Sequence, residues 1–173
     1  FGLPPWGLAG ATDAKVLDAQ AGSEAAFSIL AQGLAGLNLI HDVGYMSNGM
    51  VCSTAQLILG DENIGMAKRF MRGLQVNRET LAREVIEKVG PGGHFLDQDH
   101  TYAHFRNELW VPSLMSRSAL SDWQAQGAKD MASRIQEKLE DIVKHHEAPA
   151  LPDKTLSALR SIRQKGEKEL GKK

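Results

Sequence analysis

Two kinds of hydrophobic spacing alternate along this chain. Short continuous apolar runs, Trp6–Ala9 and Leu37–Ile40, are bounded by polar and turn residues and suit buried strands. Between them, Val16, Gln20, Phe27, Leu30 and Leu34 fall at intervals of four, seven, three and four. Those intervals place the apolar members on one helical face, so a helix is predicted from Ala14, with Asp13 as its N-cap. Gly33 and Gly36 end it. A strand over Leu37–Asp42 follows almost at once. Strand, helix, strand and helix again is the rhythm of a βαβ unit, which implies parallel strands.

Downstream the pattern is helical. Met46-Ser47-Asn48-Gly49-Met50 reads as a loop, and Ser53–Arg72 as helix, interrupted at Gly60-Asp61 and either bent or divided there. Asn77 caps a helix carrying Leu81, Val85, Ile86 and Val89, stopped by Gly90-Pro91. After the loop Gly90–Leu96, a short helix is predicted over Thr101–Trp110, ended by Pro112. A long one follows over Asp122–His146, with Met131, Ile135, Leu139 and Ile142 stacked along it. Glu147–Pro152 is a linker, and Asp153 caps a last helix carrying Leu156, Leu159 and Ile162. The charged tail Arg163–Lys173 is expected to fray as a solvated end. Two strands cannot close a barrel or make a sheet covered on both faces. The inventory therefore fits an α/β fold: the last units of a (β/α) barrel plus a C-terminal helical extension, with the missing strands upstream of Phe1, which is not an initiator Met. A stand-alone helical domain is the alternative.

Composition narrows the classes. A hydrophobic share of 42% with 24% charged residues is that of a soluble globular protein. The net charge, 20 − 21 = −1, shows no nucleic-acid footprint. One cysteine, Cys52, excludes an intrachain disulfide and fits a reducing compartment. No apolar run approaches the ~18 residues of a membrane span and no signal peptide is visible, so the cytoplasm is the expected location.

Candidate chemistry gathers at the strand ends. Parallel strands finish on one face, so Gly10-Ala11-Thr12-Asp13 and His41-Asp42-Val43-Gly44-Tyr45 should meet there, where such folds place active sites. Asp13 is either catalytic or only a helix cap. In a regular strand His41 and Asp42 point to opposite faces, so only one looks into a barrel lumen; as a pair they are either functional or merely structural. Trp6 and Tyr45 line a pocket or belong to the core. A second constellation runs from Gly92 through His94, Phe95, Asp97, Asp99 and His100 to His104. Its His spacing of four admits a metal reading, weakened by the absence of a Glu after His100 and of any cysteine pair. The preferred expectation is a Gly-rich loop that folds over the site and delivers His94 or His100 to it. No phosphate loop, nucleophile elbow or dinucleotide fingerprint is present.

Several of these segments carry a resemblance. Ala9-Gly10-Ala11-Thr12-Asp13-Ala14-Lys15, Asp18-Ala19-Gln20-Ala21, Asn38 through Tyr45, Gly90 through Leu96, and His104 through Pro112 together resemble the trimethylamine methyltransferase family. The resemblance runs in one order over nearly the whole chain. It implies a (β/α)₈ TIM-type barrel of which this chain is the C-terminal third: residues 1–118 as the last strand–helix units with the Gly-rich loop, and residues 119–173 as the helical extension. It also implies transfer of a methyl group from an amine nitrogen to the Co(I) of a cognate corrinoid protein, the corrinoid being carried by that partner and not held tightly by this chain.

Some family members act on trimethylamine and contain pyrrolysine, whose position falls close to Ala11; others lack it and take quaternary amines such as glycine betaine. Here a plain Ala stands at residue 11, either in place of pyrrolysine, which implies trimethylamine as the methyl donor, or as in a pyrrolysine-free member, which implies a quaternary amine such as glycine betaine. A methyl group leaves nitrogen readily only if the nitrogen departs neutral, so the reactive amine must be cationic or made so. Aromatic faces and a carboxylate hold such a cation, at about 0.5–2 kcal/mol per aromatic contact. The expected site therefore has Asp13, His41 and Asp42 as its polar, catalytic floor. Trp6, Ala11, Tyr45, His94, Phe95 and His100 would shape or close it around the substrate. A homo-oligomer without nucleic-acid or membrane partners is expected. The rivals are a non-catalytic helical scaffold or subunit, and a metal-dependent barrel hydrolase using His41, His94 and His100.

Overall fold

The computed structural model describes residues 2–171 and divides into two compact units, Phe1–Glu140 and Asp141–Lys173. The first is mixed α/β, mostly helical, with two small sheets. β1 (Trp6–Leu8) pairs in parallel with β2 (Leu39–His41), in the register Trp6↔Leu39, Gly7↔Ile40 and Leu8↔His41. The crossover between them is α1 (Ala19–Leu34), so the βαβ unit read from the apolar runs is present.

Helix α1 begins five residues later than its apolar spacing predicts. Asp18, not Asp13, is the N-cap, and its carboxylate accepts from the Ala21 N–H. The intervening residues are held otherwise: Ala14 is buried with Ala21 and Met46, and Ser47 N–H donates to the Ala14 carbonyl. The expected loop at 46–50 is likewise the turn of a hairpin. β3 (Tyr45–Met46) pairs antiparallel with β4 (Val51–Cys52), and Ser47, Asn48 and Gly49 take φ of 51°, 56° and 76° to close it.

α2 (Thr54–Met71) is one continuous helix capped by Ser53, so Gly60 does not divide it. Gly60 is there for close approach. A Cβ on it would lie 2.2 Å from Val43 Cγ1. The α1–α2 contact follows the same logic: Ala21 and Ala25 are fully buried, and a Cβ on Gly33 would meet Met71 Sδ at 2.3 Å. The main apolar cluster joins Ile58 and Leu59 of α2 to Leu114 and Ile135; burial of each such side chain stabilises the fold by about 1.5–3 kcal/mol.

Leu114 lies in an irregular segment that a buried carboxylate pins to α2. Glu62, 4% exposed, accepts from Leu114 N at 2.7 Å and Met115 N at 3.0 Å through Oε1, and from Ser113 Oγ at 2.7 Å and Ser113 N at 3.2 Å through Oε2. Burial alone would raise this carboxyl group's pKa. The N–H groups of Met115 and Leu114, with the Ser113 hydroxyl and N–H, outweigh burial and hold it below its ordinary value.

Two predicted helices are divided by left-handed alanines. Asn77 caps α3 (Arg78–Leu81) as expected, but Ala82 at φ 48° separates it from α4 (Arg83–Val89). α5 (Asp99–Glu108) follows the Gly-rich loop, and Arg69 of α2 holds its end through the Glu108 carbonyl and carboxylate. The long helix predicted over Asp122–His146 is instead α6 (Leu120–Ala125) and α7 (Met131–His145), separated by Gly127 and Ala128 at φ 93° and 50°.

The second unit holds the end of α7, the linker and α8 (Asp153–Leu170). Pro152 occupies the N-cap position without a side-chain hydrogen bond, so Asp153 is not the cap; it sits in the first turn, where its charge favours the helix dipole. The tail expected to fray is helical through Leu170, with an Arg163–Glu167 ion pair at 3.4 Å one turn apart. The expectations for Phe1, Lys172 and Lys173 lie outside the described residues. Among the described residues no helix is long and apolar enough to cross a membrane.

Candidate functional site

The carboxyl ends of β1 and β2 are tied together by the chain that leaves them. Ala9 N–H donates to the His41 carbonyl at 2.9 Å, and Thr12 N–H to the Tyr45 carbonyl at 3.0 Å. The loop after β1 and the turn after β2 are therefore neighbours, as parallel pairing requires. Ala11 sits half-buried in that loop between the buried Gly10 and Thr12.

Three of the predicted residues touch directly. The Trp6 and His41 rings have centroids 5.0 Å apart with planes tilted by 57°, and His41 Nδ1 lies 2.5 Å from Asp42 Oδ1. Adjacent residues of a regular strand could not do this. The strand ends at His41, and Asp42 takes φ 79°, which brings its carboxylate back onto the preceding ring. The expectation of opposite faces is thus corrected by one left-handed residue. Such a conformation costs a non-glycine residue of order 1 kcal/mol or more and persists only where the surroundings enforce it.

The enforcement is visible in Val43, which is wedged between two glycines. A Cβ on Gly10 would lie 2.8 Å from Val43 Cγ2, and one on Gly60 2.2 Å from Val43 Cγ1. The Tyr45 N–H donates to the Asp42 carbonyl at 3.2 Å and closes the turn. With Nδ1–H donating to Asp42, His41 presents Nε2 to any further partner. Trp6 is 68% exposed, so an indole face stands open beside this pair.

Asp13 contributes through its backbone. Its N–H donates to Glu24 Oε2 at 2.8 Å, beside the Thr12 hydroxyl at 2.6 Å, while Gln20 Nε2 donates to Oε1 at 2.8 Å. The Thr12 and Gln20 side chains, then the Asp13 N–H, hold the Glu24 carboxyl below its ordinary value. The Asp13 carbonyl accepts from Lys15 Nζ at 2.6 Å, and its side chain is exposed. Tyr45 is exposed on β3, opposite Cys52.

The contacts of the second constellation run elsewhere. His94 lies 3.7 Å from Asp97, both exposed, and Phe95 is exposed in the same loop. His100 Nε2 meets the Glu79 carbonyl at 2.8 Å and stacks on His104 at 4.3 Å, whose Nε2 lies 3.3 Å from Glu79 Oε1. These side chains tie α5 to α3. The structure thus brings Trp6, His41 and Asp42 into contact, with Ala11, Asp13 and Tyr45 on the adjoining backbone. Nothing in the contacts of His94, Phe95 or His100 joins them to that group. Among the described residues no three His, Cys, Asp or Glu side chains converge on a common metal position.

Val43, Gly10, Gly60 and Glu24 shape this end of the sheet and were not singled out as site residues from the sequence. An isolated glycine inside the apolar pattern of α2 was the available signal for Gly60.

Comparison with known proteins bears on the same segments. Residues 1–171 match the family model described as trimethylamine methyltransferase. A trimethylamine methyltransferase from Desulfitobacterium hafniense (strain DSM 10664 / DCB-2) is 38% identical over 99% of this chain and 34% of its own length. One from Methanosarcina barkeri (strain Fusaro / DSM 804) is 37% identical over 97% of the chain and 34% of its own length. A glycine betaine methyltransferase from D. hafniense (strain Y51) is 36% identical over 99% of the chain and 36% of its own length. The chain spans about a third of the length of these curated relatives. With a match that runs through the β1–β2 unit, the Gly-rich loop and the helices beyond, this chain belongs to the trimethylamine methyltransferase family.

Proposed function

We propose that the protein containing this chain moves a methyl group from a methylated amine to the Co(I) of a corrinoid carried by a cognate partner protein. In this reading residues 1–118 are the last strand–helix units of a (β/α)₈ barrel and residues 119–173 its helical extension. The observation that carries it is the His41–Asp42 contact at the carboxyl end of β2, with the ring of Trp6, the first residue of β1, against His41. Active sites of such barrels lie at that end. Exposed Leu8 and Leu39 on the same pair offer apolar surface that further strands would cover.

The corrinoid supplies the electron pair that forms the new carbon–cobalt bond, while the nitrogen keeps the pair of the bond that breaks. The tasks left to this chain are binding and orientation. The open indole face of Trp6 suits a cationic methylammonium group, and the Asp42 carboxylate adds charge complementarity. Asp42 also fixes the His41 ring, so Nε2 is positioned against the amine or its substituent. Asp13 and Tyr45 would border the amine from the adjoining loop and from β3.

A quaternary nitrogen departs neutral without help. Trimethylamine must first be protonated or captured in an adduct, and Ala11 has no side chain that could form one. Ala11 therefore favours a quaternary donor such as glycine betaine. The test is full-length protein with reduced corrinoid partner, offered trimethylamine, glycine betaine, carnitine and proline betaine in turn. Methyl-cobalt absorbance with a quaternary amine is expected. Its absence with all four would leave the scaffold reading, and stoichiometric zinc lost together with activity on chelation would favour the hydrolase.

A further inference from the structure

Between α5 and α7 lies polar chemistry that methyl transfer does not use. Residues 113–118 and the turn joining α6 to α7 line an open surface pocket of about 280 Å³. Its wall holds the cations Arg117, Lys129 and Arg134, the hydroxyls of Ser116 and Ser118 and the indole of Trp123, and it contains no carboxylate. For a chain of net charge −1 this is a local reversal of sign.

The charges are incompletely neutralised. Arg134 directs Nε to the Leu114 carbonyl at 2.6 Å and another guanidinium nitrogen to the Lys129 carbonyl, neither of them an anion. Ser133 and, less strongly, the charge of Arg134 hold the nearby Asp130 carboxyl below its ordinary value. Lys129 pairs with Glu137 at 2.6 Å. Among the described residues Arg117 has no ion pair.

The walls are fixed from both sides. Glu62 uses both oxygens to anchor Ser113, Leu114 and Met115. Across the pocket, left-handed Gly127 and Ala128 reverse the chain, Ala128 N–H donates to the Trp123 carbonyl at 2.9 Å, and Trp123 Nε1 donates to the Lys129 carbonyl at 2.8 Å.

We propose that this pocket binds a phosphate-like oxyanion, either free or as the head of a small phosphomonoester. Guanidinium, ammonium and hydroxyl donors distributed around a pocket suit a tetrahedral anion with three or more accepting oxygens better than a planar carboxylate with two. The volume is at or below the low end of the ~300–1,000 Å³ typical of drug-sized ligand sites, so the ligand is compact.

Calorimetric titration of the full-length protein at constant ionic strength tests this, with inorganic phosphate, methyl phosphate and acetate as probes and chloride as background. Saturable one-to-one binding of a phosphate probe is expected, weakened at least roughly tenfold by Arg117→Ala and with acetate at least roughly tenfold weaker. Tighter binding of methyl phosphate identifies an ester as the source, and tighter binding of inorganic phosphate the free ion. Absence of saturable phosphate binding, equal binding of acetate, or unchanged affinity in a folded Arg117→Ala protein would each overturn the assignment.

Discussion

Substitution of Gly60 by Ala should damage function more than stability. The new Cβ would lie 2.2 Å from Val43 Cγ1, about 1.3 Å inside the ~3.5 Å of an ordinary carbon contact. Val43 has little room to yield, because its other γ-methyl already approaches Gly10 to 2.8 Å of a Cβ position. Overpacking of this kind costs about 1–3 kcal/mol, while replacing a mid-helix glycine with alanine returns about 1 kcal/mol of helix propensity. The net stability change is therefore small, about 0–2 kcal/mol of destabilisation, and relief comes by shifting the 42–44 turn. That turn carries Asp42, whose carboxylate holds His41 at 2.5 Å, and misplacement by about 1 Å can reduce a reaction rate roughly a hundredfold. Urea denaturation paired with the rate of methyl transfer reads both quantities. Val43→Ala in the same chain removes the clashing methyl groups and should recover most of the rate, with a coupling energy of about 1 kcal/mol or more. A Gly60→Ala protein that is more stable than the parent and fully active would refute the wedge.

Other outcomes follow from the same geometry. Glu62→Gln keeps one accepting oxygen for four donors and turns an amide N–H₂ toward the rest, so a loss of about 2–3 kcal/mol is expected in denaturant titration. Because the folded-state pKa of Glu62 is depressed, its stabilisation is present above the unfolded value of about 4.3 and is lost as pH falls through the folded value. The acid limb of the stability–pH curve should accordingly flatten in Glu62→Gln; an unchanged limb would assign that lability to other groups. Asp42→Gly removes the left-handed strain and the carboxylate together, so stability should change by no more than about 1 kcal/mol while methyl transfer slows. Full activity in Asp42→Gly would remove the carboxylate from the site.

What the sequence disclosed and what it hid have physical causes. Continuous apolar runs at Trp6–Ala9 and Leu37–Ile40 suffice to find β1 and β2, and the 3.6-residue period between them finds α1. The start of α1 was misplaced because Asp13 and Asp18 are both competent caps. The packing of Ala14 against Ala21 and Met46 decides between them, and it is a tertiary contact. Strands of two residues are too short to show alternation, so the hairpin around Asn48-Gly49 read as loop. Ala82 adopts left-handed φ without any sequence preference for it and divides a helix whose apolar period, Leu81 to Val89, runs straight through, whereas Ala128 follows left-handed Gly127 ahead of an apolar run that begins only at Met131. Glu62 looks like any exposed helical carboxylate until partners 51–53 residues away arrive to bury it. That the segments leaving β1 and β2 lie side by side was legible. The His41–Asp42 contact beside them was not, because it depends on one backbone angle.

A single-turnover experiment tests the central claim, that methyl transfer occurs at the β1–β2 end beside His41. Full-length protein, its reduced corrinoid partner and glycine betaine are mixed, and the cobalt absorbance is followed for the parent and for His41→Ala, with circular dichroism confirming that both are folded. Conversion to methyl-cobalt in the parent and its loss in folded His41→Ala is the predicted result. Near-parental conversion by His41→Ala would contradict it and move the reaction away from this contact.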